Sequence, residues 1–455
     1  MLKGHDCNNT LLQDFSTKRF QFYSDVARVT REAMEKYNMP LDNVNIREII
    51  AYQITANQLR PHEEKKNKLA AISEKKDYLK LILFAADYWK NKIIPIPEKK
   101  IFENIQKIKT DQKHLYLLSG LRGDNLEICM ALIKKNGGFA LCSDPLTAMT
   151  LRKNKIPHYN LFMYSFQLAR HYRKTDLPRQ LSGLDFMTVT VILRYVGLVK
   201  MAQIIVKNNK IEKTVSYADS MIQKIASNLG VPSIQIESLI LDENRISSLF
   251  FNSDKILVYG EQGKRQLIEY GVPIEKIILT GNPVLDIFAK ETRKTRPTPM
   301  ILYAPSRIHT DDDVFVKKLA DFCQTKQYDL VVKLHPKYLN SKIPMVKKIS
   351  EIKNLTFIKD IQVQKLILQC SCLITDYSST GIHSQLLGIP TFFCNFTGDD
   401  MAFKPPYIQQ KMYETHDDLF DNLFIESGIS NDPKFANDFN WKNDGHALDR
   451  MINEV

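Results

Sequence analysis

From about residue 114 onward, short apolar runs alternate with longer stretches whose apolar residues recur at helical spacing. His114-Leu-Tyr-Leu-Leu-Ser-Gly120 is followed by a helical stretch from Leu126 to Lys135. Gly138-Phe-Ala-Leu-Cys-Ser-Asp144 is followed by a second helix from Pro145 to Lys155. The stretch Lys213 to Leu229 reads as a further helix. After it come three strand-like runs, Pro232 to Ile236, Lys255 to Tyr259 and Lys276 to Thr280. Buried strands alternating with amphipathic helices predict βαβ units and a parallel sheet.

The rhythm stops at Ala289-Lys-Glu-Thr-Arg-Lys-Thr-Arg-Pro-Thr-Pro299, which is charged, apolar-poor and proline-bearing, as an interdomain linker is. It resumes at Met300 to Pro305 and continues through Tyr328 to Leu334, Leu355 to Ile358, Cys372 to Thr375 and Thr391 to Cys394. Ahead of residue 113 the pattern is helical, with Lys65, Lys66, Lys68, Lys75, Lys76, Lys80, Lys99 and Lys100 between the apolar positions. The expected fold class is α/β, with two Rossmann-like doubly wound domains facing a cleft and a helical N-terminal addition. The expected divisions are a basic helical region (1–112), a first Rossmann-like domain (113–288), a second (300–435) and a tail (436–455) that can return to the first.

Charge narrows the partners. A net charge of +12 over 455 residues favours an anionic partner: nucleic acid, a membrane surface or a phosphorylated substrate. No nucleic-acid motif with interleaved aromatics is present, so no nucleic acid is expected. The lysine-rich helices are read as ordinary solvated faces, with docking on an anionic membrane surface as the sharper alternative. The most apolar segment, Phe186 to Val206, is interrupted by Arg194 and Lys200, so no membrane span is expected. The scattered cysteines and the absence of a signal-peptide core point to a cytoplasmic protein, peripheral at the inner face of the membrane if the basic face docks there.

Candidate chemistry gathers at predicted strand ends. After the run Cys372 to Thr375 comes Asp376-Tyr-Ser-Ser-Thr-Gly381. Ser378, Ser379 and Thr380 then surround a helix start, where unpaired N–H groups and the helix dipole favour an anion, and Gly381 permits close approach. A plain serine/threonine cap is the bland reading of the same residues. Lys333 and His335 end another strand on the same rim and can bind phosphate oxygens. Ser306 and Arg307, in Tyr303-Ala-Pro-Ser-Arg307, form a third strand-to-turn piece, with a surface role open for Arg307. Asp311, Asp312 and Asp313 are read as the solvated first turn of the next helix, not as a metal site, because consecutive residues point in different directions.

The order and spacing of these pieces resemble a known group. Leu257-Val-Tyr-Gly-Glu261, Tyr270-Gly-Val-Pro273, Lys276-Ile-Ile-Leu-Thr-Gly-Asn-Pro283, Tyr303-Ala-Pro305, Lys333-Leu-His-Pro336 and Ile374-Thr-Asp-Tyr-Ser-Ser379 together resemble the GT-B superfamily of nucleotide-sugar enzymes. Within it the likeness is to bacterial surface and capsular polysaccharide glycosyltransferases and to the CDP-glycerol glycerophosphotransferases of teichoic-acid synthesis. The resemblance implies that the second domain holds a nucleotide-linked donor and the first a glycan or lipid-linked acceptor. It places the donor phosphates on His335, Ser378, Ser379 and Thr380, with Lys333, Ser306, Arg307 and Gly381 around them. No cofactor and no metal are implied, since the donor is itself the activated substrate. Where such enzymes carry Gln-His-Gly, this chain has Ile234-Gln-Ile-Glu-Ser238, which makes Glu237 the candidate base. Where they carry an acidic ribose ligand, it has His383, with Gln385 nearby as a second nucleoside contact.

The leading expectation is therefore an inverting, metal-independent glycosyltransferase of surface polysaccharide synthesis. A CDP-alcohol polyol-phosphate transferase of teichoic-acid type is the alternative. A sialyltransferase, a UDP-sugar 2-epimerase and a non-catalytic basic scaffold stand further back.

Overall fold

The computed structural model describes residues 96–455 except 119–122, 175–185, 218–225, 227, 238–252, 270, 291–297, 307, 309–311, 336–337, 339–343, 359–360, 397–406, 409–410 and 424–431. Before residue 96 it describes only the antiparallel pair Pro40–Leu41 and Val44–Asn45. Most of the basic region expected at 1–112 and of the linker expected at 289–299 thus lies outside the described residues. Of the former, Glu98–Gln106 (α1) is a helix whose Ile101 and Ile105 enter the core of the first domain.

That domain is one parallel sheet of seven strands: β1 His114–Leu118, β2 Phe139–Cys142, β3 His158–Asn160, β4 Lys213–Tyr217, β5 Ser233–Ile236, β6 Lys255–Val258 and β7 Ile277–Leu279. Its helices include α2 Asp124–Asn136, α3 Pro145–Lys153, α4 Phe162–Tyr172, α5 Phe186–Asn209 and α6 Glu261–Glu269. The strand order is β3-β2-β1-β4-β5-β6-β7, so the direction of winding reverses between β1 and β4. Both faces of the sheet are covered, which is why most of its strands read as continuous apolar runs.

Two expectations are corrected here. Lys213–Tyr217 is a strand, paired on both sides with β1 and β5, and not the start of a helix. Its alternation of Thr214 and Ser216 with Val215 and Tyr217 is a period-two pattern, and all four side chains are buried. The small hydroxyl residues hid it from an apolar-run reading. The second correction concerns α5. Despite Arg194 and Lys200, Val189–Asn209 is long and apolar enough to cross a membrane, with a mean hydropathy of 1.8, and 56% of that window is buried inside the protein. Ile192, Leu193, Val196, Val199 and Ile205 pack in the core with residues of α1 and α4, while Lys200 rests 5.4 Å from the Tyr172 ring.

The second domain is a six-stranded parallel sheet: β8 Met300–Tyr303, β9 Asp329–Val332, β10 Thr356–Phe357, β11 Cys372–Thr375, β12 Thr391–Cys394 and β13 Met412–Tyr413, in the order β10-β9-β8-β11-β12-β13. Winding reverses between β8 and β11. A short helix, α7 (Asp286–Lys290), leads toward β8, and α8 (Asp312–Lys326) and α9 (Thr380–Leu386) follow strands β8 and β11.

The last residues bridge the two domains. Phe435 and Phe439 of α10 (Pro433–Phe439) lie in the core of the second domain, whereas Met451 of α11 (Ala447–Glu454) and Val455 lie in that of the first. Between them the chain grips the connector. Asn440 Oδ1 accepts from the Asn282 N–H at 2.7 Å, and Arg450 Nε donates to the Thr280 carbonyl at 2.7 Å. The Asp286 carboxylate accepts from the Ala447 and Leu448 N–H groups, both at 3.0 Å, so it caps α11 from α7. Gly281, at φ +81°, adopts a left-handed backbone in which a β-carbon would sit 3.0 Å from Ala447.

Candidate functional site

In an open parallel sheet, ligands sit outside the carboxyl ends of the strands at the point where winding reverses. In the second domain this point lies between β8 and β11, and the turns that follow those strands are tied together there. Thr375 Oγ1 donates to the Ala304 carbonyl at 2.7 Å. The buried Asp376 carboxylate accepts from the Ser306 N–H and from its Oγ, each at 2.8 Å. From the β9 side, the Tyr338 hydroxyl accepts from the Ile308 N–H at 3.3 Å. Three strand-end turns thereby form one rim.

Four of the expected site residues stand on this rim. His335 is exposed just beyond β9. Ser379 is exposed and makes no side-chain cap bond, while Ser378 and Thr380 are half-buried with their hydroxyl oxygens 2.8 Å apart. The backbone cradle is smaller than the sequence suggests. The N–H groups of Thr380, Gly381 and Ile382 already donate inside the turn, to Ser378 Oγ and to the carbonyls of Ser378 and Ser379. An anion at this rim would be met by side-chain hydroxyls and by the imidazole rather than by these backbone groups.

Several other expected contacts have different placements. Ser306 has both its N–H and its hydroxyl hydrogen on Asp376, so toward an anion it has no donor left. Lys333 is buried, with Nζ 3.5 Å from the Leu334 carbonyl. Gly381 serves packing: a β-carbon there would lie 2.4 Å from the Phe393 ring. Arg307 and Asp311 lie outside the described residues. Asp312 is buried, not solvated, and Asp313 pairs with Lys348 at 3.1 Å. Burial, with Asp312 and Asp376 nearby, holds the Tyr303 hydroxyl well above its ordinary pKa.

Neither expected nucleoside contact faces the rim freely. Gln385 is buried, and its amide nitrogen donates to the carbonyls of Gly381 (3.0 Å) and Tyr407 (3.3 Å). Tyr407 in turn donates its hydroxyl to the Tyr377 carbonyl at 2.7 Å, so the pair braces the serine turn from behind. The His383 ring meets the edge of Phe288, with centroids 5.8 Å apart, and its Nδ1 is enclosed without a hydrogen-bond partner. Burial lowers the pKa of His383 to about 4, so the ring is neutral at pH 7.

Glu237, the candidate base, follows β5 in the first domain and is 2% exposed. Its Oε2 accepts from the Tyr259 N–H at 2.6 Å, just before α6, and Gly263 lies so close that a β-carbon would meet the carboxylate at 3.1 Å. A carboxylate against a helix start is a favourable anchor, and this placement assigns Glu237 a structural task. Among the described residues no cluster of three or more His, Cys, Asp or Glu side chains could hold a metal ion.

Asp376 was the site residue that sequence reasoning passed over. The available signal was its own position: a carboxylate opening an anion-binding turn is out of place unless it holds something else.

Comparison with known proteins fits this geometry. Residues 242–419, less than half of the chain, match the CDP-glycerol:poly(glycerophosphate) glycerophosphotransferase family. A teichoic acid poly(ribitol-phosphate) polymerase of Bacillus spizizenii is 26% identical over a stretch covering 45% of this chain and 37% of that protein. The chain thus spans little more than a third of the curated relative it matches. Among solved structures, the UDP-GlcNAc 2-epimerase of Neisseria meningitidis bound to UDP-GlcNAc aligns with a TM-score of 0.52 at 14% identity, covering 76% of this chain and 99% of that one. A putative UDP-N-acetylglucosamine 2-epimerase of Listeria monocytogenes gives 0.51 at 11%, covering 75% and 95%. At such identities the likeness shows the fold alone, and that fold is two Rossmann-like domains about a cleft. The chain thus has a GT-B-type fold and, over residues 242–419, resembles the CDP-glycerol:poly(glycerophosphate) glycerophosphotransferase family.

Proposed function

We propose that the chain is a transferase of teichoic-acid type that moves a polyol phosphate from a CDP-linked alcohol to a hydroxyl of a polyol-phosphate acceptor. The observation that carries this reading is that the family match spans both halves of the donor rim, from His335 to the Ser378–Thr380 turn, at the winding reversal of the second sheet. The acceptor oxygen attacks the β-phosphorus as its proton leaves to a base. The bond from that phosphorus to the bridging oxygen breaks, and CMP departs. Charge grows on the transferred and departing phosphate oxygens, and in this reading His335 and the hydroxyls of Ser378, Ser379 and Thr380 stabilise it. The base is left unassigned, because Glu237 is enclosed beneath α6.

This reading reverses the order of the two expectations, since the resemblance alone favoured sugar transfer. The two differ in the attacked atom, so a donor panel separates them. Purified protein is offered CDP-glycerol, CDP-ribitol, UDP-sugars, GDP-sugars and CMP-linked sugars, and products are read by mass spectrometry. Turnover of a CDP-alcohol, lost in His335→Ala, is the expected result. Turnover of a UDP- or GDP-sugar with none of either CDP-alcohol would sink it.

A further inference from the structure

Away from the donor rim, the half-buried Arg194 stands without a counter-charge among the described residues. Arg194 lies on α5 among core positions, with Leu193 and Val196 fully buried beside it. Its guanidinium sits over the Phe166 ring at 3.8 Å from the centroid and 5.7 Å from that of Phe162. Nε reaches Ser165 Oγ at 3.4 Å. Among the described residues no carboxylate pairs with it, and burial, the leading influence, lowers its pKa from the ordinary arginine value. Phe162, Ser165 and Phe166 are the opening turns of α4, which begins directly after the carboxyl end of β3. The cation therefore stands at the carboxyl rim of the first sheet, the side that faces the cleft in this fold.

A desolvated guanidinium destabilises the fold unless something offsets it, and an apolar stem of the same length would fill the space without that penalty. Stacking on Phe166 fixes the guanidinium plane and leaves the terminal N–H fork for a ligand. A flat, pre-oriented fork matches two oxygens of a phosphate. We propose that Arg194, held on Phe166, is a phosphodiester-binding subsite on the acceptor side of the cleft. Anion binding at this place does not depend on the transferase reading; only the name of the ligand rests on it. The diester belongs either to the acceptor chain or to a lipid headgroup.

Two probes tell these sources apart: soluble glycerophosphoglycerol, and phosphatidylcholine vesicles with or without phosphatidylglycerol. Arg194→Gln in the full chain is expected to weaken binding of at least one probe about tenfold, the scale of one charge-assisted contact. Its thermal midpoint stays level or rises, because a desolvated charge has been removed, and CDP binding at the His335 rim is unchanged. Phe166→Leu keeps the charge without the platform and loses about threefold, a fraction of the same contact. Loss confined to the soluble diester assigns the acceptor chain, and loss confined to vesicles assigns the headgroup. Binding of both probes unchanged in Arg194→Gln overturns the subsite, as does a fallen midpoint with binding retained. A wild-type protein that binds neither probe overturns it equally. If the diester effect holds while no CDP-alcohol is ever turned over, the transferase reading fails and the anion site stands.

Discussion

Two segments that carried the same family resemblance do different work in the structure. Asp376 to Gly381 lies at the winding reversal of the second sheet, with Ser379 exposed and Asp376 tying the neighbouring turn into place. Thr280 to Pro283 lies between the domains and is gripped from the chain end by Asn440 and Arg450. The Tyr259–Gly260 pair belongs with the second group. The Tyr259 carbonyl accepts from the Trp441 N–H at 2.8 Å, and a β-carbon on Gly260 would lie 2.2 Å from the Asp438 carbonyl. The patterns behind one resemblance therefore divide into those that line a candidate ligand rim and those that join the two domains. Catalysis at a cleft needs both, since a rim displaced by about 1 Å loses much of its rate advantage.

The sharpest break of this contrast is at Asp286. Its two oxygens serve the first N–H groups of α11 across 161 and 162 residues of sequence, and the site is buried. Asp286→Ala leaves two enclosed donors unpaired at a helix start and should cost about 3 kcal/mol, seen as a lowered midpoint in urea. CDP affinity, measured under conditions where the variant is folded, should hold while turnover falls. A variant that loses CDP binding with its fold intact would show that connector and rim are not separable tasks.

Gly381 tests the other segment, with a smaller effect. Gly381→Ala drives a methyl group into the Phe393 ring and should destabilise by about 2 kcal/mol through overpacking. Adding Phe393→Leu should recover much of it. Recovery of stability without recovery of CDP binding would mean that the glycine also serves the ligand, as the sequence first suggested.

What could be read in advance followed from how local each signal is. Strands enclosed on both faces announce themselves as apolar runs, so β1, β2, β8, β11 and β12 were legible. β4 was not, because Thr214 and Ser216 are small enough to be buried without being apolar. The short edge strand β3, with all three residues half-buried, gave no run to find. The candidate rim was legible because its hydroxyls and His335 sit at strand ends. Which donors stay available was not, since that depends on bonds inside the turn and on Asp376 meeting Ser306 from 70 residues away. Gln385 and His383 show the same limit: both occupy the helix that the turn begins, yet one braces Tyr407 and the other meets Phe288.

His383 offers the finest test, because its ring joins the two regions: it sits on the rim helix and touches Phe288 of the connector helix α7. Burial lowers its pKa from 6.5 to about 4, so the folded protein holds the neutral ring while the unfolded chain protonates it first. Between these values the unfolded state binds more protons, and stability must fall as pH falls through that window. Above about 6.5 the contribution is fully present. His383→Leu keeps the packing and removes the proton uptake, so its stability should decline less steeply than that of the wild type from pH 6.5 toward 4. Subtracting the two urea-midpoint curves isolates this group from the carboxylates that titrate in the same range. Parallel curves would mean that the ring is protonated in the folded state, which requires water or a carboxylate to reach Nδ1. The Phe288 contact could then no longer be counted as part of the dry joint between rim and connector.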